Sequence, residues 1–197
     1  MKIEVAFLIG HLFQSSKEAV MMLVSSGGLQ VLVNFFQTDL RENMDLVMLS
    51  IESFNALALD EVGLKLPTND MLNLLQEIGV PECLPPVICF FYQHLEMQED
   101  EKVSRALEKA FELLEQFANA EPDIKVKLCS SVEVVQPLVE LINSMTLLAM
   151  NSTLGFQTVK KIVRVLYWVS LAEETHDVRR VTCRNWSRWR CCRAWCT

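Results

Sequence analysis

EKVSRALEKAFELLEQFA, residues 101–118, carries the clearest period in the chain. Val103, Ala106, Leu107, Ala110, Phe111, Leu114 and Phe117 recur three or four apart, and Glu101, Arg105, Glu108, Glu112 and Glu115 fall off that stripe. This is the spacing of an amphipathic α-helix. Acids in QEDE, 98–101, crowd its start, where the helix macrodipole favours negative charge. Glu101 and Arg105 are also placed as an i,i+4 pair. The same criteria, applied outward, predict helices over about 2–14, 15–26, 28–37, 42–59, 68–78, 82–97, 100–119, 122–131, 133–148 and 155–173. Gly79 is expected to stop one helix, and Pro122 to sit in the first turn of another. No segment shows the β-branched alternation of a strand.

The end of the opening helix recurs. FELLEQFANA (111–120) has counterparts in FLIGHLFQ (7–14), SIESFNALAL (50–59) and VRVLYWVSLA (163–172). Ile9, Phe54, Leu114 and Leu166 align, followed three residues later by Leu12, Leu57, Phe117 and Val169. A second motif links GGLQVLVNFF (27–36), IGVPECLPPVICFF (78–91) and SSVEVVQPLVELI (130–142), pairing Val31, Pro86 and Pro137 at separations of 55 and 51. The unit is a short helix, a second helix and a long third helix. It occurs over about 15–60, 68–119 and 122–174, behind a leading third helix at 2–14. The expected fold class is all-α: an armadillo- or HEAT-like α-solenoid of about three helical repeats plus that leading helix. The spacing exceeds the ~40–47 residues usual for such repeats, so the loops are expected to carry insertions. No unit can bury its apolar face alone, and the apolar leading face of Val5, Leu8, Ile9 and Leu12 makes self-association an expected property.

Composition bounds the function. The chain has 197 residues and is 51% hydrophobic, enough to bury a core without disulfides or metals. Its net charge of −7 hides an asymmetry: residues 178–197 hold six arginines and no acid, leaving 12 cations against 25 acids upstream, a net of −13. An acidic body does not suit phosphate-backbone binding, so nucleic acid is not expected as a partner. Cys83, Cys89 and Cys129 sit among apolar residues as free thiols, and a cytoplasmic location is expected. No apolar run reaches the ~18 residues of a membrane span. Glu4, His11 and the lack of a cleavage pattern argue against a signal peptide in MKIEVAFLIGHLF.

Chemistry-bearing motifs are missing from the pattern. His11, His94 and His176 fall in different units without ligand-spaced partners, and there is no phosphate loop, HExxH, GxSxG or CxxC. The reading expects no enzyme, no catalytic residue, no small-molecule substrate, no metal and no cofactor. Two domains follow: an armadillo-like helical repeat domain over 1–176, and a basic Cys/Trp/Arg-rich tail over 177–197 expected to lie outside the fold. The tail cysteines, Cys183, Cys191, Cys192 and Cys196, match no zinc spacing.

Taken in order, IEVAFLIGHLFQSS, GGLQVLVNFF, LPTNDMLNLLQEIGVPECLPPVI, FANAEPDIKVKLCSSVEVVQPLVELI and FQTVKKIVRVLYWVSLAEE resemble the armadillo region of STE-type protein kinases. These are the plant epsilon-type MAP kinase kinase kinases and the septation and cytokinesis kinases of fungi and amoebae. The likeness runs over about residues 3–176, and the Gly-rich loop, VAIK, HRD, DFG and APE signatures are absent from the chain. The resemblance implies a regulatory, partner-docking segment of a signalling kinase, not the kinase itself. A helical adaptor of transport or chaperone type is the alternative, followed by a nucleic-acid-binding protein acting through the basic tail over 177–197.

Armadillo proteins that hold extended peptides resemble one another in an Asn ladder on the third helices. The equivalent positions here are His11, Ala56, Gln116 and Trp168, with Asn55 one residue out of register. Only Gln116 carries the amide. The expected surface is therefore one for a folded partner or partner helix. It comprises Gln116 with the basic and aromatic group Lys160, Lys161, Arg164, Tyr167 and Trp168, which suits an acidic or phosphorylated protein.

Overall fold

The computed structural model describes residues 17–59, 68–145 and 152–171. Among these the chain is all-helical, without a strand. The helices are α1 (Lys17–Ser25), α2 (Gly28–Phe36), α3 (Met44–Ala58), α4 (Thr68–Glu77), α5 (Val80–Met97), α6 (Glu101–Asn119), α7 (Pro122–Ser130), α8 (Val132–Ser144) and α9 (Thr153–Ser170). The expected leading helix at 2–14 and the tail at 177–197 lie outside the described residues. No single helix among those described is long and apolar enough to cross a membrane.

Local chemistry sets the boundaries. The Asp100 carboxylate accepts hydrogen bonds from the amides of Lys102 (2.8 Å) and Val103 (3.3 Å), capping α6. Ser152 does the same for α9 through the Gly155 amide at 3.0 Å, so this helix starts at Thr153 rather than 155. At the other end of that connection α8 stops at Ser144, before the expected 148, because Met145 is extended. α5 starts at Val80 rather than 82: Gly79 takes a left-handed φ of +83° and Pro81 lies in the first turn, where it has no needed N–H to lose.

Gly27, with φ +76°, plays the part of Gly79 one unit earlier. The two glycines turn α1 into α2 by 75° and α4 into α5 by 77°. They set the register of α2 and α5 at 52 residues, not the 55 obtained by pairing Val31 with Pro86. Burial agrees: Leu29, Leu32, Val33, Phe35 and Phe36 of α2 match Pro81, Leu84, Pro85, Val87 and Ile88 of α5, all buried. Pro86 is exposed on α5 and so marks no packed position that could be matched to α2. The third unit makes its turn on Ser131 at φ −80°, which needs no glycine.

Equivalent helices pack in series. α3 lies on α6 and α6 on α9; α2 lies on α5 and α5 on α8; α4 lies on α7. Within each unit the second helix also packs on the third. Aligned on Phe54, Leu114 and Leu166, the positions Leu46, Ser50, Ser53 and Leu57 of α3, Ala106, Ala110, Leu113 and Phe117 of α6, and Thr158, Ile162, Val165 and Val169 of α9 are all buried. Each class of helix also sends one side chain to a backbone carbonyl of its successor. The Asn55 amide donates to the Lys109 carbonyl at 2.6 Å, the Gln76 amide to Ile124 at 3.2 Å, and the Cys89 thiol to Pro137 at 3.6 Å.

Candidate protein-interaction surface

The 18 residues of α9 rest on α6 and α7, and this contact organises the expected site. Arg164 is exposed, yet its guanidinium is committed. Nε donates to Glu115 Oε1 at 3.0 Å and Nη2 donates to Glu115 Oε2. A bidentate pair of this kind is strong for its class. The Glu115 side chain is only 12% exposed, so Arg164 compensates a nearly buried carboxylate. The hydrogen bond and charge of Glu115 raise the Arg164 pKa and keep it cationic.

Lys161, one turn before Arg164, is half-buried with Nζ 5.6 Å from the centre of the Phe111 ring. Trp168, one turn after, is half-buried under Lys125 of α7, whose Nζ lies 5.9 Å from the ring centre. Tyr167 meets Trp168 edge-on, with ring centres 5.7 Å apart, and is 57% exposed. Both cation–π contacts tie α9 to a neighbouring helix. Lys160 is exposed without a partner among the described residues. Gln116 is half-buried on α6, next in sequence to Glu115.

The electrostatics are therefore more mixed than the cluster of cations suggests. A cleft of about 600 Å³ opens between the first half of α6 and the first half of α9. Leu107, Phe111 and Leu154 line it with Lys161, beside Glu99, Asp100, Glu101 and Glu108. Asp100 is used as the cap of α6 and Glu101 pairs with Arg105 at 2.6 Å. Lys161 thus works among acids, Arg164 is neutralised, and Lys160 keeps its charge for solvent or a partner.

The ladder positions are equally informative. Ala56, Gln116 and Trp168 are all half-buried. Asn55, one residue off, is 4% exposed, and its amide is consumed by the Lys109 carbonyl. Holding the next helix is the work it does. Sequence reading missed Glu115, Lys125 and the Glu52–Lys109 pair (3.4 Å), because each partner is contributed by a different helix far away in sequence.

Cys129 is buried, and Cys83 and Cys89 are half-buried. Burial, reinforced by Glu140, pushes the Cys89 thiol up to about 11, and burial with Glu82 raises Cys83. The unfolded chain loses the Cys89 proton near 9 while the folded chain keeps it to about 11. Stability contributed by this group is full below pH 9 and falls as pH rises through that window. At pH 8 the folded protein is expected to alkylate at Cys89 about 100-fold more slowly than the urea-unfolded chain, from the difference in thiolate fraction. Peptide mass spectrometry after timed iodoacetamide treatment measures this; equal rates would refute it. Among the described residues no three His, Cys, Asp or Glu side chains come together as a metal site.

No protein-family model matches the chain, nor does any curated protein or solved structure.

Proposed function

We propose that the chain is a non-catalytic protein–protein interaction scaffold: an armadillo-like α-solenoid acting as a regulatory segment of the kind carried by MAP kinase kinase kinase-type signalling kinases. The observation that carries this reading is the serial packing of equivalent helices. Successive third helices lie on one another at steps of 60 and 52 residues, each repeating the same buried face. Stacked units of this kind present an extended surface rather than a closed pocket. The kinase connection rests on the sequence resemblance alone.

On that surface the partner site is centred on α9 and the adjoining edge of α6. Lys160 supplies the free cation and Tyr167 an exposed aromatic face, while Lys161, Arg164 and Trp168 form the braced floor beside Gln116. An exposed aromatic next to a cation suits an acidic or phosphorylated segment of a protein partner. The test is affinity capture with the full chain and with Lys160→Glu/Lys161→Glu, matched for helicity by circular dichroism. The expected result is a defined protein recovered at least 10-fold less by the variant. Equal recovery of every captured protein by both would overturn the site.

A further inference from the structure

α6 is buried on two faces and α9 on one. The second face of α6 runs through Leu107, Phe111 and Leu114, all buried, with α9 packed on the helix. A step of 52 residues carries these positions onto Val159, Val163 and Leu166 of α9. There, Val159 and Leu166 are half-buried and Val163 is 44% exposed. Phe156, two turns before Val163, is 60% exposed. α9 therefore repeats an interface that is filled on α6 and, among the described residues, left open on α9.

The exposed stripe is also self-complementary. Phe156, Lys160, Val163, Tyr167 and Leu171 share one side of the helix at steps of four, three, four and four. Consider two α9 helices lying antiparallel about the midpoint of residues 163 and 164. Phe156 of one copy meets Leu171 of the other, Lys160 meets Tyr167, and the two Val163 side chains meet at the centre. Two-fold symmetry makes each unlike pair twice. A lysine over an aromatic ring is attractive, and this chain uses that contact internally in Lys161–Phe111 and Lys125–Trp168. Arg164 would otherwise put like charges at the centre, but Glu115 already neutralises it.

We propose that α9 is a self-association face, on which a second copy of this chain docks as an antiparallel helix pair about a two-fold axis. One helix pair covers less than the ~800 Å² per partner of a standard interface, so the dimer is weak and concentration-dependent. Each chain carries a net −7, so added salt tightens it by screening the repulsion between bodies.

Sedimentation velocity on the full chain, in reductant and over a wide concentration range, tests this. The weight-average mass is expected to rise with concentration from 22.5 kDa towards twice that value. Val163→Glu, and independently Phe156→Glu, keep wild-type helicity and remain at the mass of one chain. Tyr167→Ala weakens association about 5- to 30-fold, and Tyr167→Phe retains it, because the ring and not the hydroxyl meets Lys160. A wild-type chain that stays at 22.5 kDa throughout overturns the proposal, as does association unchanged by both glutamate variants. Lys160 and Tyr167 also belong to the proposed partner site, but Val163 and Phe156 do not. Loss of the dimer in Val163→Glu with partner recovery intact supports this face separately from that site.

Discussion

Phe117→Ala lowers the stability of the folded chain by about 3–5 kcal/mol, the range for truncating a fully buried aromatic. Phe117 is 0% exposed and lies on α6, which packs on α3, α5, α7 and α9. Its counterparts at the same register are Leu57 and Val169, both buried, so the ring fills the face common to all three third helices. Little can collapse into the space, because Leu113, Leu114 and Ala118 around it are themselves at 0% exposure and belong to packed faces. With a urea dependence of about 2 kcal/mol/M, the midpoint falls by on the order of 2 M. Phe156→Ala is the control: a side chain 60% exposed is expected to change stability by less than ~0.5 kcal/mol. Equal midpoint shifts for the two variants would contradict the burial on which the register rests.

Asn55→Asp changes one atom and is expected to remove roughly 2–4 kcal/mol at neutral pH. The Asn55 amide donates to the Lys109 carbonyl at 2.6 Å, and its own carbonyl oxygen has no partner among the described residues. A carboxylate would turn a donor into a charge facing that backbone carbonyl in a position only 4% exposed. Burial and the facing carbonyl both raise the folded pKa of the new acid above its unfolded value of about 3.9. The variant therefore fares best below about pH 4, where a protonated carboxyl can donate in place of the amide, and loses stability as pH rises through the raised value. Asn55→Ala loses only the hydrogen bond and a few contacts, about 1–1.5 kcal/mol. Urea titrations of both variants at pH 4 and 7 check this. If Asn55→Asp matches Asn55→Ala at pH 7, the bond across α3 and α6 is not the stabilising contact assigned here.

These two positions mark what was legible from sequence. Phe117 was readable because the apolar repeat of a helix is written within a few turns, and a 60- or 52-residue comparison of Phe54, Leu114 and Leu166 needs only that local pattern. Asn55 was readable as an amide near the ladder, but not as one already spent, since its partner lies 54 residues away on another helix. Comparable separations in sequence hid Glu115 from Arg164 and Lys125 from Trp168. Charge was legible only as composition: the cations of α9 form a basic cluster in sequence, and stacking surrounds two of them with acids and rings. In the second helices a conspicuous residue type misdirected the alignment. Pro86 is the conspicuous residue of α5, while the left-handed Gly27 and Gly79 set the phase between α2 and α5.

Asn55, Gln76 and Cys89 each reach a main-chain oxygen in the following unit rather than a side chain. A carbonyl has a second lone pair to offer while serving its own helix, whatever residue bears it. These three joins, unlike the Arg164–Glu115 and Glu52–Lys109 pairs, are thus specified from one side alone. Lys109, Ile124 and Pro137 supply an acceptor that almost any helical residue would supply. Substitution of the three donors is therefore expected to cost stability, and substitution of their acceptors to be tolerated as long as the helices under them persist.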